Sequence, residues 1–565
     1  MKKTLGYLKP YSGITVAALF IKFVGSVSEL VLPYILSRII DDLMPYGYIS
    51  DIYLSGGVML LFAIMALVCN IVANRLSAVA AGRMTHDLRY DLFSRTCYLK
   101  SGQVDGFTVP SLISRLTSDT YYVNQMVARS MRMGVRAPIL LIGGLIFSFI
   151  MDAKLALIML AALPFVCIGI YFITKKSVPQ YAAVQKSGDN MVRSVQENVT
   201  GIRVIKALSK EDYENSKFEG VAGDVAENDF KANKIMSLTN PLTTLILNLC
   251  LVAVIVVGAY MSEDAGIMTA FLSYFTIILN AMLGISKIFV ELSRGIASAA
   301  RIEKVLDVDP SEEVFDLPEK FDDCAIAFED VNFSYNGKEN NLENISFALK
   351  KGQSLGIIGP TGCGKSTLIN LMMRFYDVNS GAVYVDGVNV KSYKADDLRR
   401  KFGVVFQNDF LMADSVRENI DYGRKLKDED IEKAVECAQA AEFVYSLPEG
   451  LEYDLAQKAG NLSGGQKQRL LVARALAGNP EIIVLDDSSS ALDYATDAAM
   501  RKAITANYPD SAKVIVAQRV SSIKNCNLIL VLDDGKIIGA GDHERLMQSC
   551  DEYRRIAETQ MGAGL

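Results

Sequence analysis

The most specific spacing in this 565-residue chain belongs to Gly359-Pro360-Thr361-Gly362-Cys363-Gly364-Lys365-Ser366, which fits G-x4-G-K-[ST]. The run follows an apolar strand, Leu355–Ile358, and leads into a helix predicted over Thr367–Phe375. Strand, loop and helix in that order are what a phosphate-binding loop requires. The glycines let backbone N–H groups curl around phosphate oxygens, and the helix N-terminus adds partial positive charge. Lys365 would reach the β- and γ-phosphates of a nucleotide, and the Ser366 hydroxyl would ligate Mg2+. A glycine-rich turn without function is the bland alternative, and the flanking elements argue against it.

Two further elements complete the chemistry. Ile482-Ile483-Val484-Leu485-Asp486 reads as a buried strand whose terminal carboxylate can hold Mg2+ through water, since ligands of parallel sheets bind at the carboxyl ends of strands. An Asp in that place is often only a helix cap; the phosphate loop favours the metal role. Leu462-Ser463-Gly464-Gly465-Gln466 opens a second helix, predicted over Gln466–Ala477, and so makes a second anion-binding terminus. One nucleotide does not need two such ends from one chain. The simplest solution is two domains facing head to tail, each holding one ATP between its own phosphate loop and its partner's LSGGQ. Cys363, inside the loop at a helix N-terminus, is placed where a thiol pKa can fall; a small filler residue is the better expectation on general grounds.

These elements need a scaffold. Half of the chain is apolar, and the apolar residues concentrate before about residue 300. Six runs, Ile14–Ile35, Ile52–Ala73, Val135–Ile150, Leu155–Ile173, Leu242–Met261 and Ile267–Val290, approach the ~20 residues needed to cross a bilayer. Three links between them are short and nearly free of Lys and Arg; two are long and basic, which predicts long links and both termini in the cytoplasm. A large soluble helical protein is the rival reading, and the agreement of spans with charge asymmetry weighs against it. Lys2, Lys3 and Lys9 precede a first span that reads as retained, not as a cleaved signal. The long links show helical spacing, and about 25 residues of helix extend ~37 Å. Each link is thus expected to be a projecting hairpin, with turns near Gly106–Ser114 and Ser209–Glu214.

The net charge of −6 argues against an extended nucleic-acid surface, and nine scattered cysteines with two histidines suggest neither a disulfide framework nor a His-based metal site. Val308–Cys324 is acidic, contains Pro310 and Pro318, and reads as a linker. Beyond it short apolar strands, Ser354–Ile358, Val404–Phe406, Ile482–Leu485, Val514–Ala517 and Leu528–Leu532, alternate with helical stretches, which predicts a mostly parallel covered sheet.

With these motifs in place the whole chain resembles an ATP-binding cassette (ABC) exporter half-transporter. The implied fold is an all-α transmembrane domain of six helices over residues 1–307, a linker at 308–324, and an α/β P-loop cassette over 325–565. By the same resemblance Gly359 to Thr367 bind ATP with Mg2+ held at Ser366, Gln407 and Asp486. Tyr335 looks like the aromatic that stacks on adenine, Gln407 links the metal to the membrane domain, and Ser490-Ala491-Leu492-Asp493 resembles the loop joining two sites. The two turns look like coupling helices, Glu197–Lys206 resembles the second intracellular loop, and Lys3–Ser12 an elbow helix on the inner membrane surface.

The chain also departs from the family. Most active cassettes have Glu directly after the Asp that ends this strand; here Asp487 stands there. A switch histidine is usual where Gln518 stands, and His86 and His543 lie elsewhere. Gln457 replaces a usual Glu before the signature. Asp is one methylene shorter than Glu, and a misplacement of ~1 Å can cost on the order of 10²-fold in rate. Gln can hydrogen-bond phosphate but carries no charge. A site of this kind is expected to bind ATP and hydrolyse it slowly. The resemblance then implies a heterodimer in the plasma membrane, whose partner half-transporter has an intact Glu and switch His, and whose hydrolysing site is completed by Ser463, Gly464, Gly465 and Gln466. A small hydrophobic or drug-like substrate, passing among membrane lipid, is expected. A lipid or peptide exporter half and an ATP-binding regulatory subunit are the alternatives; a soluble ABC ATPase conflicts with six fused spans. Lys22 and Glu29, seven residues apart, share a helix face and could contact substrate or form a structural ion pair. Tyr171, Phe271, Tyr274 and Phe275 could line a cavity, with packing the better expectation.

Overall fold

A computed structural model describes residues 1–260, 264–321, 323–487 and 492–561. The chain divides into two compact units, Met1–Cys97 with Pro110–Val308, and Tyr98–Val109 with Asp309–Leu565.

The first unit is helical. The six predicted spans fall on helices Ser12–Arg38, Ile49–Cys97, Thr120–Met151, Ala153–Thr200, Thr239–Tyr260 and Ala265–Leu306. Among the described residues, Lys3–Leu43, Ile49–Cys97, Val109–Met151 and Ala265–Ile285 are long and apolar enough to cross a membrane. The 49 residues of Ile49–Cys97 form one helix of ~73 Å, far more than the ~30 Å hydrocarbon core requires. This continuity is the projecting link expected from the sequence. The helix that carries the third span begins at Thr120, ahead of the span's predicted start at Val135, and two of its arginines are partnered. Arg129 pairs with Glu291 (2.6 Å), and Arg136 donates to both carboxylate oxygens of Glu29 (2.8 Å each).

Glu29 therefore does not pair with Lys22. The Lys22 ammonium donates instead to the Asn70 and Asn74 side-chain oxygens at 2.8 and 3.1 Å. Phe271, Tyr274 and Phe275 are buried, and the Tyr274 hydroxyl donates to the Leu30 carbonyl (2.8 Å), so packing accounts for these three. The Tyr171 side chain lies outside the described residues. Gly144 permits the close approach of helices here, since a Cβ would come within 2.9 Å of Ile278. The elbow is two short pieces, a helix Lys2–Gly6 and a 3-10 turn Lys9–Tyr11. It is held by Glu303, which accepts from the Thr4 amide (3.0 Å) and hydroxyl (3.1 Å). Nearby, Asp119 is buried and bound two-fold by Arg301 (2.9 and 2.5 Å).

In the second unit the strands are β1 Cys324–Phe333, β2 Leu342–Lys350, β3 Ser354–Ile358, β4 Ser380–Val385, β5 Val388–Asn389, β6 Phe402–Val405, β7 Ile482–Asp486, β8 Ala512–Val516, β9 Leu528–Asp533 and β10 Lys536–Gly541. They form a four-stranded antiparallel sheet, β2-β1-β4-β5, and a six-stranded sheet, β10-β9-β3-β8-β7-β6. In the larger sheet only β10 runs antiparallel. β7 is buried at every residue, which is why it reads as a continuous apolar run. The smaller sheet escaped sequence reading because its strands lack such runs and are bent by register shifts. The acidic linker is extended but tied down: the Phe315 and Lys320 amides donate to the Lys391 and Gly387 carbonyls, and Arg399 binds Glu312 (2.8 Å).

Residues 98–109 belong to this unit through the helix Ser101–Phe107, which ends at Thr108 with φ +64°. The Tyr376 hydroxyl donates to Asp105 (2.5 Å), and the Gln103 amide donates to the Asp309 carbonyl (3.0 Å). The first predicted turn, Gly106–Ser114, is thus displaced about one turn toward the N-terminus. In the second link the short helix is Ile202–Ala207, followed by a turn at Ser209 with φ +49°.

Removing Arg301 strands a buried carboxylate. Arg301→Ala is expected to destabilise the helical unit by about 2–4 kcal/mol. The measurement is thermal unfolding in detergent followed with a thiol-reactive dye; Arg301→Lys should lose less.

Candidate active site

β3 ends at Ile358, the loop Gly359–Gly364 follows, and the helix Lys365–Met372 begins. Two glycines are obligatory for different reasons. A Cβ on Gly359 would lie 2.1 Å from the Leu532 carbonyl, and Gly364 has φ +103° against Leu342. The Lys365 ammonium donates to the Gly359 and Pro360 carbonyls at 2.9 and 2.7 Å, so it lies across the loop. The Ser366 hydroxyl donates to Asp486 Oδ2 (2.9 Å), which joins the loop to the end of β7. Burial pushes the Asp486 carboxyl above the usual range, and the adjacent Asp487 adds to this against the Ser366 hydrogen bond.

These residues share one open cleft, lined by Thr361, Gly362, Gly364 to Thr367, Gln407, Asp486, Asp487 and Gln518 with Asn341, Val516 and Ala517. Ser366 hydroxyl, Asp486 carboxylate and Gln407 amide are hard oxygen donors, the set that fits Mg2+. Gln407 follows β6, and the next turn is fixed by an ion pair between Asp409 and Arg474 (2.6 Å).

The two departures from the family meet in this cleft. β7 and β8 are in register with Asp486 opposite Val516, and the Asp487 amide donates to the Val516 carbonyl (3.0 Å). Asp487 itself has φ +50°. The Gln518 side-chain amide donates to Asp487 Oδ2 (3.0 Å). Gln560, near the C-terminus, braces this edge: its amide donates to the Gln518 carbonyl and its oxygen accepts from the Val520 amide, both at 2.8 Å. No spacing in the sequence linked Gln560 to the cleft.

The sequence profile of the ABC transporter transmembrane region matches residues 15–282, and that of the ABC transporter domain matches residues 342–490. Over 568 residues, 100% of this chain and 99% of the relative, the chain is 32% identical to YfiB, an uncharacterized ABC transporter ATP-binding protein of Bacillus subtilis. The chain belongs to the ABC transporter family. An ATP-dependent lipid A-core flippase of Pseudomonas fluorescens is 29% identical over 98% of this chain and 95% of its own. The fold matches that of a bacterial Atm1-family ABC exporter with ATP bound, at a TM-score of 0.83 and 22% identity, covering 98% of this chain and 99% of that one. Family and domain order make this an ATP-driven ABC half-transporter, helical membrane unit first and ATP-binding cassette second, with the fold of an ABC exporter.

Other family positions fall outside the cleft. Ser463 caps the helix Gly464–Leu476, with its hydroxyl accepting from the Gln466 amide and the Gln466 side chain accepting from the Ser463 amide (2.8 Å). Ser463 and Gly464 are exposed, and none of Ser463 to Gln466 lines this chain's own phosphate cleft. Asp493 caps the helix Tyr494–Asn507 and also stands apart, while Ser490 and Ala491 lie outside the described residues. Tyr335 borders the cleft through its hydroxyl, 3.4 Å from Thr367, and its ring meets Tyr376 edge-on at 4.9 Å. Tyr376 was not singled out in the sequence, although it connects Tyr335 to Asp105. Gln457 begins an exposed 3-10 turn. His543 binds Tyr553 and His86 sits beside Asp87, both away from the cleft.

The structure decides between the two readings of Cys363. Its thiol is buried, and burial pushes its pKa up despite Lys365 nearby. The filler reading therefore holds over the reactive one. In the folded transporter Cys363 is expected to react with N-ethylmaleimide at pH 7.5 at least ~10-fold slower than the exposed Cys97, because less thiolate is present and access is closed. Mass spectrometry of timed labelling checks this.

Proposed function

We propose that this chain is the slow-site half of a two-chain exporter. Its own cleft holds ATP with Mg2+ and hydrolyses little, while its LSGGQ completes the hydrolysing site on a partner half that carries Glu and the switch His. The observation that carries this reading is the Asp487–Gln518 hydrogen bond. Hydrolysis needs a carboxylate free to orient and polarise water at the γ-phosphate. Here the carboxylate is one methylene short and one of its oxygens is engaged by a neutral amide.

Binding residues are all present. Lys365 and the loop amides hold the phosphates, Ser366 and Asp486 are the residues to hold Mg2+ with Gln407 beside them, and Tyr335 offers a ring to adenine. Bound Mg2+ would neutralise charge on the β- and γ-phosphates. On the exposed helix terminus, the capping box around Ser463 leaves the amides of Gly464 and Gly465 directed at a second chain's nucleotide. The intact signature is what favours a working exporter half over a purely regulatory subunit. The basic long links support a cytoplasmic cassette and cytoplasmic termini. The transported molecule is taken to be small and hydrophobic; the lipid A-core flippases among the relatives give a lipid some weight as the alternative.

The purified chain alone should hydrolyse ATP on the order of 10²-fold slower than the paired complex, the scale expected for a misplaced catalytic group. Transporter-like turnover by this chain alone would sink the proposal. In the complex, Asp487→Asn should barely change turnover, whereas Gly464→Glu should nearly abolish it.

A further inference from the structure

The helical unit holds charged groups that the ATP site does not use. Lys22 is 3% exposed in the helix Ser12–Arg38, about 10 residues or ~15 Å from its start. Glu29 lies ~10 Å further along the same helix. The Lys22 ammonium has two neutral oxygens as its hydrogen-bond partners, Asn70 and Asn74. Arg136 gives one terminal nitrogen to Glu29, while its Nε is buried without a partner among the described residues. Arg132 stands within electrostatic range of Lys22 as well. Around the buried Lys22 ammonium thus lie two further cations, Arg132 and Arg136, and one carboxylate, Glu29. The neighbouring Arg129 is already balanced by Glu291.

Charges at membrane depth face a protein interior or a water-filled path and not lipid. The Glu29 and Arg136 side chains remain 28% and 36% exposed, so their open side marks such a path. An excess of positive charge there is costly unless an anion meets it. Beyond Arg136, an aromatic group of Tyr34, Phe147 and Tyr274 lies toward the far end of the same helices, with ring centroids 6.2 and 6.0 Å apart. Phe147 is 11 positions after Arg136, three helical turns along one face.

We infer that this membrane unit takes an amphipathic anion: a phosphate, sulfate or carboxylate head bound at Arg136, in the positive field of the buried Lys22, and an apolar body against Tyr34 and Phe147. The inference rests on the exporter reading and names its substrate class. Glu29 holds Arg136 in place and competes with the head for it.

The test uses the complete transporter in liposomes and reads the probe concentration that half-maximally stimulates ATP hydrolysis. One arm compares NBD-labelled phosphatidylglycerol with NBD-labelled phosphatidylcholine, which distinguishes a lipid headgroup as the source. The other compares the anionic dye sulforhodamine 101 with the cationic rhodamine 6G. At least one anionic probe should act at 10-fold or more lower concentration than its counterpart. Arg136→Gln should raise that concentration 10-fold or more, Arg136→Lys should recover most of it, and Glu29→Gln should lower it. Equal response to both members of each pair, or preference for the cation, would overturn the inference. So would equal losses from Arg136→Gln and Glu29→Gln, the result a purely structural ion pair gives. Unstimulated hydrolysis by the wild-type complex, measured in the same vesicles, tests the exporter reading separately.

Discussion

The hydrogen bond from Ser366 to Asp486 is the point on which the cassette turns. It ties the helix that follows the phosphate loop to the carboxyl end of a strand buried along its whole length. β7 is fixed by parallel neighbours on both sides, so Asp486 has little freedom. Everything that approaches the nucleotide is placed relative to that strand. β8 brings Gln518 alongside through its register with β7, β6 leads to Gln407, and β3 delivers the loop itself. A buried acid with a single hydroxyl partner is a costly thing to keep.

Much of this was legible in the sequence because it depends on local rules. A glycine-rich loop between an apolar strand and a helix, a four-residue apolar run ending in Asp, and a Ser-Gly-Gly-Gln cap each carry their geometry in a few adjacent residues. The spans were legible for the same reason, as hydrophobicity over ~20 residues needs no partner to be read. What was not legible depends on pairing between distant positions. Arg136 looked like the polar boundary of a span until Glu29, 107 positions away, accounted for its charge. Gln560 and Tyr376 carry no motif, and their roles come from the residues that topology sets beside them. For Cys363 the filler reading stands because burial of the thiol outweighs the field of the helix N-terminus and of Lys365.

The linker shows the same division. Its acidic, proline-containing composition reads as a loose connection, yet its backbone is fastened to the hairpin of β4 and β5 and its Glu312 to Arg399. Composition reports what a segment cannot do alone; it does not report what a neighbouring surface will accept. Residues 98–109 extend the point, since a piece of the first half of the sequence is structurally part of the second unit.

Asp487 has a left-handed backbone, φ +50°. Among residues other than glycine, Asp and Asn enter that region most readily, and longer side chains gain nothing from it. Asp487 is therefore a residue type that suits the local backbone. A Glu placed here would have to work against the chain's own conformation as well as against the Gln518 hydrogen bond. On the proposed slow-site reading, Asp487 and Gln518 are thus coupled, through the bond between their side chains and through the backbone that carries Asp487.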